Sequence, residues 1–235
     1  MSDLLNSRAA EQEEHHWLSI SDLMSGLMVV FLFIAIAMML NTQDERNKVK
    51  NVAVAYQENQ VAIYQALMAE FEDDLSKWNA DIDRQTLTFT FNSPDILFES
   101  GKKELNDRYK QLLSNFFPRY LQVLSQFEDS IEEVRIEGHT SSVWNQNVTP
   151  TEAYFLNMRL SQGRTRNVLQ YVYKLQDVDS FRPWLKKHMV AVGFSSSHPV
   201  LDAQDQENLD ASRRVTFRVI TNADIKIKQI LETVQ

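Results

Sequence analysis

The sequence predicts a single membrane-crossing helix followed by an α+β sandwich built on a mixed sheet. Three observations carry that reading. A 24-residue apolar run from Trp17 to Leu40 holds one charged residue, Asp22, and about 20 residues of apolar helix span a hydrocarbon core. Between Gly26 and Pro94 no glycine or proline interrupts the chain, which favours long helix. From about residue 85 to 220, strand-like alternation and helix-like spacing succeed one another, the pattern of strands and helices sharing one core.

The elements follow in order. Residues 1–16 form a polar N-terminal segment and 17–40 the span. Across 41–80, Val49, Val52, Tyr56, Ile63, Leu67, Phe71, Leu75 and Trp78 recur at spacings of three, four or seven. Such a narrow stripe suits a helix pairing with a second copy, and also suits packing on the domain that follows; pairing is the expectation. Thr86 to Phe91 alternates as a half-buried strand, and Asn92-Ser93-Pro94-Asp95 breaks it. Residues 102–126 have helical spacing, with Pro118 expected to kink or divide the helix. Val134–Glu137 is a short strand ending at Gly138, and 151–175 is a further helix. Strands at Met189–Gly193 and Arg214–Val219 complete the domain, 81–222, ahead of a C-terminal tail, 223–235.

Composition excludes several functions. A net charge of −8 gives no electrostatic basis for nucleic-acid binding. Cysteine is absent, so no disulfide forms. The five histidines show no metal-site spacing, and Ser195-Ser196-Ser197 sits in no nucleophile motif, so no enzymatic chemistry and no bound cofactor are expected. A cleaved signal peptide is disfavoured: residues 1–16 carry four acids and one basic residue, Arg8, and Asp22 interrupts the apolar run. Arg46, Lys48 and Lys50 follow the span, so the positive-inside rule alone places the C-terminal side in the cytoplasm.

The motifs point elsewhere. LFESGKKEL (97–105), IEGHTSS (136–142), NMRLSQGRTRNVLQYV (157–172), VGFSSSHPV (192–200) and SRRVTFRV (212–219) occur in that order. This series resembles the OmpA-like peptidoglycan-binding domain. The resemblance implies a pocket for the diaminopimelate part of the peptide stem, lined by Asn157, Leu160, Thr140, Ser141 and Arg214, with Arg164 gripping a stem carboxylate. A planar guanidinium suits that contact. Ser141 stands where the family has an acid that receives the ligand's ammonium group, and Ser212 replaces an asparagine.

A carboxylate within a span costs roughly 2.5–3.5 kcal/mol on insertion scales and commonly marks an ion path. Ser25 and Gly26 lie at i+3 and i+4 from Asp22, on one helix face, where small residues admit a neighbouring helix and hydroxyls bond a carboxyl. A W-x(4)-D span joined to an OmpA-like domain resembles the MotB family of stator B subunits, and the wording around Asp22 is nearest to its Zorya anti-phage branch. The resemblance implies that Asp22 carries a translocated proton or sodium ion, supported by Ser21 and Ser25. It further implies a homodimer inside a 5:2 complex with a ZorA- or MotA-like multi-span subunit. The implied site is the bacterial inner membrane, crossed once, with the C-terminal domain in the periplasm. A wall binder must face the wall, so this orientation is preferred over the charge rule.

Overall fold

The computed structural model describes residues 2–92, 98–99 and 101–222; within the first helix, the side chains of residues 2–22, 49, 51–53 and 55–56 lie outside the description. The tail at 223–235 lies outside the described residues. Helix α1 runs from Ser2 to Trp78 and contributes to two compact units, Met1–Asn51 and Val52–Gln235. In the first unit, the apolar side chains between Leu23 and Leu40 are exposed, Phe33 at 68% and Met39 at 70%. The segment Leu23–Lys48, of mean hydropathy 2.7, is long and apolar enough to cross a membrane.

The second unit is built on a five-stranded mixed sheet in the order β1-β2-β5-β3-β4. The strands are β1 (Ala80–Asp83), β2 (Thr88–Phe91), β3 (Ile131–His139), β4 (Met189–Ser195) and β5 (Val215–Thr221). All neighbours are antiparallel except β3 and β4, which run parallel. A parallel pair needs a long crossover, and helix α3 (Pro150–Tyr173) lies within it. Helix α2 (Asp107–Leu124) precedes β3, helix α4 (Arg182–His188) precedes β4, and a single turn, α5 (Leu209–Ser212), leads into β5.

The side chains explain these elements. Thr149 caps α3 through a reciprocal box, accepting from the Glu152 amide at 3.3 Å while Glu152 Oε2 accepts from the Thr149 amide at 2.9 Å; such a cap contributes about 1 kcal/mol. Asn106 caps α2 by accepting from the Tyr109 amide at 2.7 Å. Phe89 and Phe91 alternate inward on β2, and Val215, Phe217 and Val219 on β5. Their rings form an aromatic core: Phe116 of α2 sits 4.7 Å from Phe89, 5.1 Å from Phe217 and 5.3 Å from Phe71 of α1. Each fully buried phenylalanine contributes roughly 1.5–3 kcal/mol by leaving water.

Three expectations need correction. The α1 stripe is not free to pair from Ile63 onward, because Ile63, Leu67 and Phe71 are wholly buried in the chain's own core. Arg119 of α2 pins this segment, bonding Glu70 Oε1 at 2.6 Å and Asp74 Oδ2 at 2.8 Å while lying over the Phe71 ring at 4.8 Å. The globular unit therefore begins well before residue 81. Helix α2 runs undivided through Pro118; Phe116, Phe117, Tyr120 and Leu121 on either side are buried, and that packing outweighs the lost backbone bond. Strand β1, Ala-Asp-Ile-Asp, was not anticipated.

Candidate functional site

Two glycines set the geometry of the site. Gly138 of β3 and Gly193 of β4 are register partners, and α3 packs directly over them. A Cβ on Gly193 would lie 2.5 Å from the Gln162 amide nitrogen, and one on Gly138 would lie 2.7 Å from Thr165 Cγ2 and 2.9 Å from the Ser161 carbonyl oxygen. Only hydrogen at both positions lets the helix come this close. Polar side chains then lock it. Ser161 Oγ accepts from the Ser195 amide at 3.1 Å, and Ser195 Oγ donates to the Tyr154 carbonyl at 2.7 Å. Asn157 Nδ2 donates to the Ser141 carbonyl at 3.0 Å. Asn157 thus fixes the turn that follows β3.

The face of α3 that carries Asn157, Leu160 and Arg164 looks onto a cleft of about 130 Å³. Thr140, Ser141, Val143 and Trp144 form one wall, Phe98 and Gly101 another, and Arg213 borders it. Arg164 is only 9% exposed. Its Nε donates to the Lys102 carbonyl at 2.9 Å and its guanidinium carbon stands 4.6 Å from the centre of the Phe98 ring, while Nη2 makes a long contact of 3.5 Å to the Glu99 carbonyl. Burial first, and the charge of Arg213 second, push its pKa down to about 10, so it stays charged at neutral pH. No carboxylate among the described residues pairs with it, and Nη1 has no protein partner there. A desolvated cation in this state is ready for an anion.

Five of the six residues assigned to the pocket from the sequence, Thr140, Ser141, Asn157, Leu160 and Arg164, come together here. Arg214 does not line the cleft: it reaches the carbonyls of Ser212 and His198, each at 3.3 Å, and burial pushes its pKa down. Its neighbour Arg213 borders the cleft instead, bonded to Asp210. Phe98 lies in the LFESGKKEL motif but was not assigned to the pocket, and Trp144 carries no sequence signal beyond being aromatic. Ser141 Oγ makes only a long 3.5 Å contact to the Val143 carbonyl, while the Ser142 amide is held by Glu207 Oε1 at 3.0 Å. At the other end of the chain, Asp22 and Ser21 fall within α1 but their side chains lie outside the described residues; Ser25 lies in the described part of that helix.

A mixed sheet with one parallel pair, a glycine-seated helix and an arginine facing a small cleft make up an OmpA-like α+β domain. The chain belongs to the OmpA family, whose sequence profile matches residues 97–214. Within it the chain is a relative of the Zorya protein ZorB of Escherichia coli strain Crooks, 52% identical over 222 residues, covering 94% of each protein. Among solved structures it is similar to a putative MotB-like protein of Desulfovibrio vulgaris, with 20% identity and a TM-score of 0.49 over 70% of this chain and 94% of that one. It is also similar to the cell wall anchor of the T6SS of Pseudomonas aeruginosa, with 22% identity and a TM-score of 0.46 over 66% of this chain and 97% of that one.

Proposed function

We propose that the chain is the B subunit of an ion-driven membrane motor of the Zorya defence type, fixed to peptidoglycan by its C-terminal domain. The observation that carries the reading is Arg164: a buried, aromatic-backed guanidinium facing a cleft without a carboxylate partner among the described residues. It occupies the position that the OmpA-like resemblance assigns to a stem carboxylate. The 52% identity to ZorB supports the wider assignment.

In this reading Asp22 is the ion carrier. A proton or sodium ion entering from the periplasm neutralises the carboxylate, which releases the span from its partner helices; the ion then leaves inward. One charge crossing 100 mV releases about 2.3 kcal/mol, a usable step for rotating a ZorA-like ring of five around two copies of this chain. Torque needs a fixed frame, and the wall supplies it. The chain itself makes and breaks no covalent bond. A passive inner-membrane anchor is the rival reading, since the same domain performs that role with an idle span; a flagellar stator is the other, with the same mechanism in a different assembly.

Asp22→Asn separates motor from anchor. It is expected to abolish protection in a phage-plating assay while membrane insertion and co-purification of the multi-span partner persist. Full protection by this variant sinks the ion-carrier role. Arg164→Ala is expected to lower retention of the full-length chain by isolated sacculi about ten- to a hundredfold, since a charge-assisted contact contributes roughly 1.5–3 kcal/mol. Because Arg164 also holds the Lys102 carbonyl, a thermal melt accompanies the assay. Unchanged retention by a folded variant removes the wall contact from this cleft. Orientation is checked by a membrane-impermeant thiol reagent on spheroplasts carrying Gln176→Cys: labelling is expected, and labelling only after lysis reverses the topology.

A further inference from the structure

The cleft has an uneven charge lining. Among the described residues around it, two are guanidiniums, Arg164 and Arg213, and none is an acid. Their mutual repulsion is felt, since the charge of Arg213 helps to lower the pKa of Arg164. Where the OmpA-like pattern has an acid for the ligand's ammonium, Ser141 offers a neutral hydroxyl. Described acids that flank the lining are already engaged: Glu99 pairs with Lys102, Glu207 holds the Ser142 amide and hydroxyl, and Asp210 holds Nη2 of Arg213. Arg164 Nη1 and Arg213 Nη1 are both left without a protein partner among the described residues. Two cations bordering one small cleft of about 130 Å³ are best satisfied by two anionic groups on a single short ligand.

We infer that the cleft recognises the doubly anionic end of a stem peptide, one carboxylate on each guanidinium, and does not read its ammonium group. The inference rests on the peptidoglycan reading above and narrows it. A diaminopimelate residue at the end of a stem has two free carboxylates. Once a further residue is joined to it, or the stem is cross-linked through that carboxylate, only one remains. The preferred ligand is therefore a stem trimmed back to diaminopimelate, the product of a carboxypeptidase reaction. The chain would anchor to trimmed wall rather than to every stem.

The test is calorimetric titration of the full-length chain in detergent micelles with four synthetic probes. These are the tripeptide L-alanyl-γ-D-glutamyl-diaminopimelate, its form extended by D-alanine, its form amidated on the side-chain carboxylate, and its form acetylated on the side-chain amine of diaminopimelate. Extension and amidation are each expected to weaken binding by about tenfold, and acetylation by less than about threefold. Arg213→Gln is expected to abolish the preference for the tripeptide over the extended form while leaving the melting temperature unchanged. If acetylation removes binding and amidation does not, the inference falls and the peptidoglycan reading stands. If Glu207→Gln weakens the free-amine probe alone, Glu207 serves the ammonium and the inference again falls. If no probe binds a folded chain that sacculi also fail to retain, the peptidoglycan reading itself falls.

Discussion

At the scale of single residues, strands β3 and β5 hold a polar cluster beside the site. Glu137 of β3 accepts from Thr216 of β5 at 3.3 Å, and His139 stands 3.7 Å from Glu137 and stacks on Phe194 at 5.2 Å. Burial is the main force lowering the pKa of His139 below its usual value, with Arg214 and His198 adding to it and Glu137 opposing. The unfolded chain takes up this proton near pH 6.5, whereas the folded one resists it. Stability is therefore lost as pH falls from about 6.5 towards the lowered folded pKa. For Glu137, burial raises the pKa, but His139, Arg218 and Thr216 together hold it below the ordinary glutamate value. Its stabilisation is present above the unfolded pKa and is lost as pH falls through the lower folded one, so it belongs to a more acidic window. His139→Gln is expected to flatten the fall in melting temperature between pH 7.5 and 5.5; an unaltered slope assigns the acid sensitivity elsewhere. Legibility at this scale was uneven for a physical reason. Motif spacing brought Asn157, Leu160 and Arg164 to one helix face, because positions three and four apart share it. Next to a strand, neighbouring residues face opposite ways, and a one-residue difference put Arg213 rather than Arg214 at the cleft.

At the scale of elements, strands with clear alternation were readable: Phe89 and Phe91 on β2, and Val215, Phe217 and Val219 on β5. Strand β1 was not, because only Ile82 of its four residues is buried and two of the others are aspartates; it pairs through its backbone with β2 from Ala80↔Phe91 to Asp83↔Thr88. Glycine meaning was equally hidden. Gly193 and Gly163 look alike in sequence but differ in space. A Cβ at Gly193 meets the Gln162 backbone at 2.5 Å, while one at Gly163 meets the flexible Lys103 side chain at 3.1 Å. Gly193→Ala is expected to cost about 1–3 kcal/mol through overpacking. Gly163→Ala, inside α3, is expected to be neutral or to stabilise by up to about 1 kcal/mol through helix propensity. Urea unfolding of the pair checks this, and equal effects at the two sites would contradict the close seating of α3 on the sheet.

At the scale of the whole molecule, an apolar stripe announces burial without naming what covers it. The row from Val49 to Trp78 recurs at helical spacing throughout, yet Ile63, Leu67 and Phe71 are buried in the chain's own core, Phe71 against Phe116 of α2 and Phe89 of β2. If two copies associate as proposed, the pairing falls to the N-terminal part of the row, Val49, Val52 and Tyr56, before the Arg119 clasp at Glu70 and Asp74. Two spans entering side by side would bring these positions into register, and a helical pair recurs with a period near 3.5 residues. The absence of cysteine from the sequence makes the test clean, since every disulfide reports an introduced position. In membranes treated with a mild oxidant, Val52→Cys and Tyr56→Cys are expected to form disulfide-linked dimers. Val54→Cys, two residues off the row, is expected to form few, although its parent side chain is 46% exposed. Leu67→Cys, at a position with no exposure, is expected to form none. Equal cross-linking at Val52 and Val54 would point to random encounter, and strong cross-linking at Leu67 would mean that the helix leaves its own core to pair. No cross-link at any of the four positions would leave the chain a single anchor and remove the two-copy axis on which the proposed motor depends.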